Sequence, residues 1–204
     1  MKYDPEKHHR RSIRLKDYDY SQSGAYFITI CTHNRECLFG EIVNVGMILN
    51  EFGKIAWEEW DNNAKIRKNL VQDEYVVMPN HVHGILFILD ENDIGATRRV
   101  APTERLSGLA SGSIGAIIGQ FKSIVTKRVN SIRGTPGLDI WQRNYHEHVI
   151  RDKDELLEIR EYIANNPIRW AEDENNPINI KEGKPQLGRP TGSPLQRLII
   201  KQRK

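Results

Sequence analysis

Residues 74–89 read EYVVMPNHVHGILFIL, two runs rich in apolar and β-branched residues on either side of Pro79-Asn80. Such runs favour extended backbone, and Pro beside Asn favours a tight turn. The stretch therefore predicts a hairpin, with Glu74 to Met78 paired to Val82 to Leu89. Side chains alternate across a strand, so His81 and His83 share one face while Val82 points to the other. Two imidazoles side by side suit a divalent metal and leave further coordination positions open. Gly84 leaves room for something to approach the backbone closely. The apolar run from Ile85 to Leu89 suits a central, buried strand.

Working outward, Tyr26 to Thr32 (YFITICT) predicts an earlier strand. Apolar residues from Met47 to about Ile66 recur at spacings of three and four (Ile48, Leu49, Phe52, Ile55, Ala56, Trp60), which predicts an amphipathic helix. Ile114 to about Ile132 carries a similar stripe, with Ser113 as its N-cap. Trp141 to Ile150 predicts a further strand, and Asp152 to Asn166 a last helix stopped by Pro167. Residues 91–112 read as a polar loop.

The order is strand, helix, strand, strand, helix, strand, helix. Its first six elements match a ferredoxin-like βαββαβ arrangement of the α+β class. An antiparallel sheet with helices on one face leaves its other face for a site. Residues 1–19 form a basic arm, 20–170 a globular unit and 171–204 a basic tail containing several Pro and Gly.

The composition, 38% hydrophobic and 28% charged, is that of an ordinary soluble protein. No apolar run approaches the ~18 residues of a membrane span. The charged N-terminus lacks the apolar stretch of a secretory signal, so a cytoplasmic protein without a membrane partner is expected. Cys31 and Cys37 are too few for a disulfide framework. The net charge of +3 is unevenly spread: residues 1–16 carry six Lys/Arg against Asp4 and Glu6, and residues 177–204 carry seven against Glu182. Basic ends on an acidic body suit contact with a nucleic acid backbone, although basic tails also serve solubility.

Two features compete with or extend the His81–His83 pair. His146 and His148 have the same spacing on a predicted strand, and spacing alone prefers neither pair. The neighbouring Arg143, Asn144 and Arg151 suggest an exposed environment that contacts phosphate. Tyr162 and Asn166 are four apart and stack along the last helix. Tyr162 falls at the edge of the stripe Leu156, Ile159, Ile163, where its ring can pack and its hydroxyl can reach a site. The Asn166 amide oxygen could join the two histidines as a ligand, or serve only to end the helix before Pro167.

Taken together, MPNHVHGILFI (78–88), SIGAIIGQFKS (113–123), WQRNYHEHVIRD (141–152) and EYIANNP (161–167) resemble the REP-associated tyrosine transposases, a branch of the single-tyrosine HUH transposases. The resemblance covers about residues 20–170. It implies a catalytic domain with Mg²⁺ or Mn²⁺ on His81 and His83, Asn166 as a third ligand and Tyr162 as nucleophile. It further implies cutting and rejoining of single-stranded or hairpin DNA at palindromic repeats through a 5′-phosphotyrosine. Candidate DNA contacts are Arg10, Arg11, Arg14, Lys122, Lys127, Arg128, Arg143, His148 and Arg151. Relatives include dimers and monomers, so a homodimer is one expectation. The rival readings are a relative that binds repeat hairpins without cutting, and a metal-dependent hydrolase that uses water.

Overall fold

The computed structural model describes residues 18–90 and 112–179. Four strands form one antiparallel sheet: β1 (Gly24–Cys31), β4 (Leu70–Met78), β5 (His81–Ile88) and β6 (His146–Ile150), in the order β4-β5-β1-β6. Three helices complete the unit, α1 (Glu51–Lys65), α2 (Ile114–Arg133) and α3 (Lys153–Ala164). Residues 1–17 of the candidate arm, the loop after Asp90 and the tail beyond Asn179 lie outside the described residues.

Two layers of apolar side chains sandwich the sheet. On one face Ile28 and Ile30 of β1 and Val82 and Leu86 of β5 pack against Trp60 of α1 and Ile117, Phe121 and Val125 of α2. On the other, Phe27 and Ile85 meet Ile159, Tyr162 and Ile163 of α3. The alternation of strand side chains makes this division. A residue in the first core is followed along β1 or β5 by one that faces α3. An ion pair between Arg160 and Asp73 (Arg160 Nε to Asp73 Oδ2, 2.8 Å) ties α3 to β4.

The helices start and stop where their caps are. The Asn50, Ser113 and Asp152 side chains accept from the backbone N–H groups of Gly53, Ala116 and Glu155, three residues on in each case. α2 ends at Gly134, whose φ of 65° is a left-handed conformation that costs glycine nothing.

Two expectations are corrected. The helix expected from Met47 begins at Glu51, because Gly40–Val43 (β2) and Gly46–Leu49 (β3) form a separate hairpin. Its turn has Asn44 at φ 49° and Val45 at φ 62°, the double left-handed pattern of a tight hairpin. Valine at the second position hides that turn, since a β-branched residue rarely adopts it. The strand expected from Trp141 begins at His146. Trp141 makes only an isolated bridge with Thr32, and its ring packs into the core against Phe39 and Phe121.

Gly84 is the close-approach position that its sequence suggests, and Trp60 is what approaches. A Cβ there would lie 2.3 Å from Trp60 Cζ2 and 3.1 Å from Tyr75 Cβ. Trp60 is fully buried and cannot swing into solvent. Gly84→Ala should therefore destabilise the fold by about 2–3 kcal/mol, read as a lower urea midpoint. Trp60→Phe added to Gly84→Ala should cost less than the sum of the two single changes. Strict additivity would show that the glycine does not serve this contact.

Candidate functional site

The register across the sheet assembles a polar patch under α3. His83 of β5 and His146 of β6 both pair with Thr29 of β1, so the three residues share the α3 face. His81 lies two residues before His83 on that face, their ring centroids 4.4 Å apart. Tyr162 of α3 reaches the same spot, with its hydroxyl 3.3 Å from His83 Nε2. His83 Nδ1 lies 2.9 Å from Thr29 Oγ1, and His81 Nδ1 lies 2.9 Å from Asn80 Oδ1. Both rings are thus held at Nδ1 and turn Nε2 inward.

A third group arrives from beyond α3. After Pro167 the chain turns through two short 3₁₀ segments, Trp170–Glu172 and Pro177–Asn179, and carries Asp173 back to the histidines. Asp173 Oδ2 lies 3.9 Å from His81 Nε2. One donor atom each from His81, His83 and Asp173 falls within 4.8 Å of the others, and all three residues are buried. Asn166 is buried beside them, close enough to act on both His81 and Tyr162. Neither Asn166 Oδ1 nor His81 Nε2 has a hydrogen-bond partner. Buried lone pairs rarely go unmatched. Two imidazole nitrogens and a carboxylate that converge in this way, with the Asn166 amide beside them, fit a divalent cation, which would satisfy the orphaned His81 Nε2.

Asp173 was not among the residues expected from the sequence. It lies past a proline in a stretch without periodicity, and no pattern in the chain announces it.

Burial sets the protonation states. It holds His81 down to about 4 against partial compensation by Asp173, and it lowers His83 well below the usual range, helped by His81 and His146. His146 is likewise held to about 4 by burial and by His148. Burial also pushes the Tyr162 phenol up, and Asp173 adds to the effect. The neutral imidazoles are ready to act as ligands. Below an unfolded value near 6.5 the unfolded chain binds protons that the folded chain refuses. The stability that these neutral imidazoles contribute is therefore complete above about pH 6.5 and lost as pH falls towards 4. The metal-free protein should show a melting temperature that drops steeply over that window. His146→Gln should flatten the drop, and an identical profile in that variant would remove His146 from the account.

The other candidates are spread widely. Among the expected DNA contacts, Lys127, Arg143 and Arg151 are exposed. Lys122 is half-buried and donates to the carbonyls of Gln142 (2.6 Å) and Arg143 (3.2 Å). Arg128 pairs with Glu58 (2.8 Å) and Glu59 (2.5 Å), and His148 with Glu155 (2.7 Å). Arg10, Arg11 and Arg14 lie outside the described residues. Lys127 and Arg143 line an open groove of about 780 Å³ beside the second half of α2. Tyr145, the other tyrosine near the histidine-rich stretch, packs against the core on the α1–α2 side, away from His81 and His83.

Among the described residues no helix is long and apolar enough to cross a membrane. No family model matches the chain. An uncharacterized Haemophilus influenzae protein is 43% identical over 175 residues, covering 85% of this chain and 96% of its own length. A second Haemophilus influenzae protein, provisionally named a REP-associated tyrosine transposase, is 26% identical over 151 residues, 74% of each chain. The solved structure of a REP-associated tyrosine transposase bound to a REP hairpin superposes with a TM-score of 0.52 at 16% identity. It covers 89% of this chain and all of its own, which is a likeness of fold.

Proposed function

We propose, from the premise that this chain belongs to the REP-associated tyrosine transposase family, that it cuts and rejoins single-stranded DNA beside a repeat hairpin, with Tyr162 as nucleophile. The observation that carries the reading is the 3.3 Å approach of the Tyr162 hydroxyl to His83 Nε2, against the converging donors of His81, His83 and Asp173.

In the forward step the Tyr162 oxygen bonds to phosphorus and the bond to the 3′ oxygen breaks. A 5′-phosphotyrosine and a free 3′-OH remain, the phenol proton passing in net terms to the leaving 3′ oxygen. Attack by a 3′-OH on the phosphotyrosine reverses the bond changes and rejoins the strand. The phosphodiester energy is conserved, so no nucleotide cofactor is required. A divalent cation, Mg²⁺ or Mn²⁺, bound at His81, His83 and Asp173 with Asn166 alongside, would supply the positive charge that polarises the phosphate and favours the phenolate.

The residues around Tyr162 have separate tasks. Phe27 packs edge-on against its ring, 6.1 Å between centroids, and holds the phenol towards the histidines. Thr29 orients His83. Burial excludes the water that would otherwise hydrolyse the covalent intermediate. The exposed Lys127, Arg143 and Arg151 are available to the DNA backbone.

Incubation with a labelled hairpin bearing a single-stranded flank, in Mn²⁺, should yield a protein–DNA band that survives denaturation. Hairpin binding without the band would favour a non-cutting repeat binder, and free cleaved DNA without the band a water-using hydrolase. Removal of residues 180–204 takes away seven Lys/Arg and Glu182. The log–log dependence of hairpin affinity on salt should become shallower in that variant. An unchanged slope would show that the tail does not touch the backbone.

A further inference from the structure

Asn80 sits in the turn between β4 and β5, fully buried, and both ends of its amide are engaged. Its Nδ2 donates to the carbonyl oxygens of Arg35 (3.0 Å) and Asn175 (2.7 Å). Its Oδ1 faces His81 Nδ1 at 2.9 Å. The two carbonyls fix the amide's orientation, because the flipped amide would set its oxygen against both of them. Oδ1 therefore accepts, and His81 must carry its proton on Nδ1. The lone pair then falls on Nε2, the buried atom without a partner that points towards Asp173.

The same amide reaches the segment that carries Asp173. Asn175 stands two residues beyond Asp173, and its carbonyl is one of the two that Asn80 holds. Arg35 closes the network from a third side. Its guanidinium Nη1 donates to the Glu174 carbonyl oxygen (2.7 Å) and Asn175 Oδ1 (2.8 Å) while its own carbonyl accepts from Asn80. Asn34 and Arg35 both have left-handed backbones, at φ 51° and 57°. Such strain persists only where surrounding structure compels it. Here it lets one turn offer its carbonyl to Asn80 and its side chain to the Asp173 segment.

We infer that Asn80 is a positioning residue for a divalent cation. It holds His81 in the Nδ1–H tautomer so that Nε2 is the ligand atom, and through the Asn175 carbonyl it ties the Asp173 segment to the turn that carries His81. The inference rests on the reading of His81, His83 and Asp173 as a metal site. It adds that ligand geometry is set by an amide that never touches the ion. Partners of this kind commonly change metal affinity by about 10- to 100-fold.

Two measurements on the full chain test it. Long-range ¹⁵N–¹H correlation spectra of the metal-free protein at neutral pH report the tautomer of each histidine, assigned by loss of the signal in His81→Gln. Wild-type His81 should appear as Nδ1–H, and in Asn80→Ala it should become a mixture. Calorimetric titration should show Mn²⁺ binding weakened 10- to 100-fold in Asn80→Ala, and partly restored in Asn80→Gln, which keeps an amide. An Nε2–H tautomer in the wild type overturns the inference whether or not any variant folds. So does wild-type Mn²⁺ affinity in a folded Asn80→Ala. The metal-site reading fails separately, if His83→Ala binds Mn²⁺ as tightly as the wild type.

Discussion

Tyr162→Phe forms no covalent DNA adduct, a loss of more than about 10³-fold in cleavage, while hairpin affinity stays within about twofold. That is the result expected if the phenol oxygen is the atom that attacks phosphorus, since loss of a nucleophile leaves only residual catalysis from binding and charge. The substitution changes little else. The ring keeps its edge-on contacts with Phe27 and His83, at 6.1 and 5.3 Å between centroids. One hydrogen bond to His83 Nε2 disappears, worth about 1 kcal/mol of stability. Tyr145→Phe is the matched control, because Tyr145 packs against the core on the opposite side of the sheet. Electrophoresis under denaturing conditions with labelled hairpin DNA and Mn²⁺ reads both variants. An adduct that survives Tyr162→Phe and vanishes in Tyr145→Phe would reassign the nucleophile.

The second large effect concerns the metal. His81→Ala and His83→Ala should each weaken Mn²⁺ binding by at least about 100-fold and abolish the adduct. Each removes one of the three converging donors and leaves the ion with a single imidazole and oxygen donors; zinc and nickel, which favour imidazole more than manganese does, should lose at least as much affinity. Asp173→Asn should weaken binding by about 10- to 100-fold, since it trades a charged ligand for a neutral one. Asn166→Ala should have the smaller effect of the two, as the amide oxygen carries no charge. His148→Ala should leave binding near the wild-type value, because His148 is engaged with Glu155 at the start of α3. His146→Ala should do the same, as His146 stands across β1 from His83 with Thr29 between them. Calorimetric titrations of Mn²⁺ into the folded variants decide among these. Loss of binding in the 146 and 148 variants, with normal binding in the 81 and 83 variants, would move the site to the other pair.

The sequence by itself determined what each segment does locally. Two apolar, β-branched runs on either side of Pro79-Asn80 specify a strand pair, and the alternation of side chains along a strand then puts His81 and His83 on a face opposite Val82. Ser113 and Asp152 mark the starts of α2 and α3, and the four-residue spacing of Tyr162 and Asn166 keeps them on one side of the chain as it leaves α3. These follow from interactions within a few residues, so the local string contains them.

The relative placement of segments was decided only by tertiary packing. The hairpin at Gly40–Leu49 was hidden because its turn holds Val45 in a conformation that its own side chain disfavours, and the neighbouring strands must compel it. His81–His83 and His146–His148 are identical in spacing, and the assembled sheet alone brings one pair beside Asp173. Tyr145 lies within the stretch that carries His146 and His148, yet packing puts it on the opposite face from Tyr162, and Tyr162 alone of the two reaches His83. Asp173 shows the limit most clearly. It belongs to no periodic element, and its aim is set by Arg35 and Asn80, 138 and 93 residues earlier in the chain. Periodicity reports which side of its own element a residue faces. Where that side ends up is a sum of long-range contacts that no local window contains.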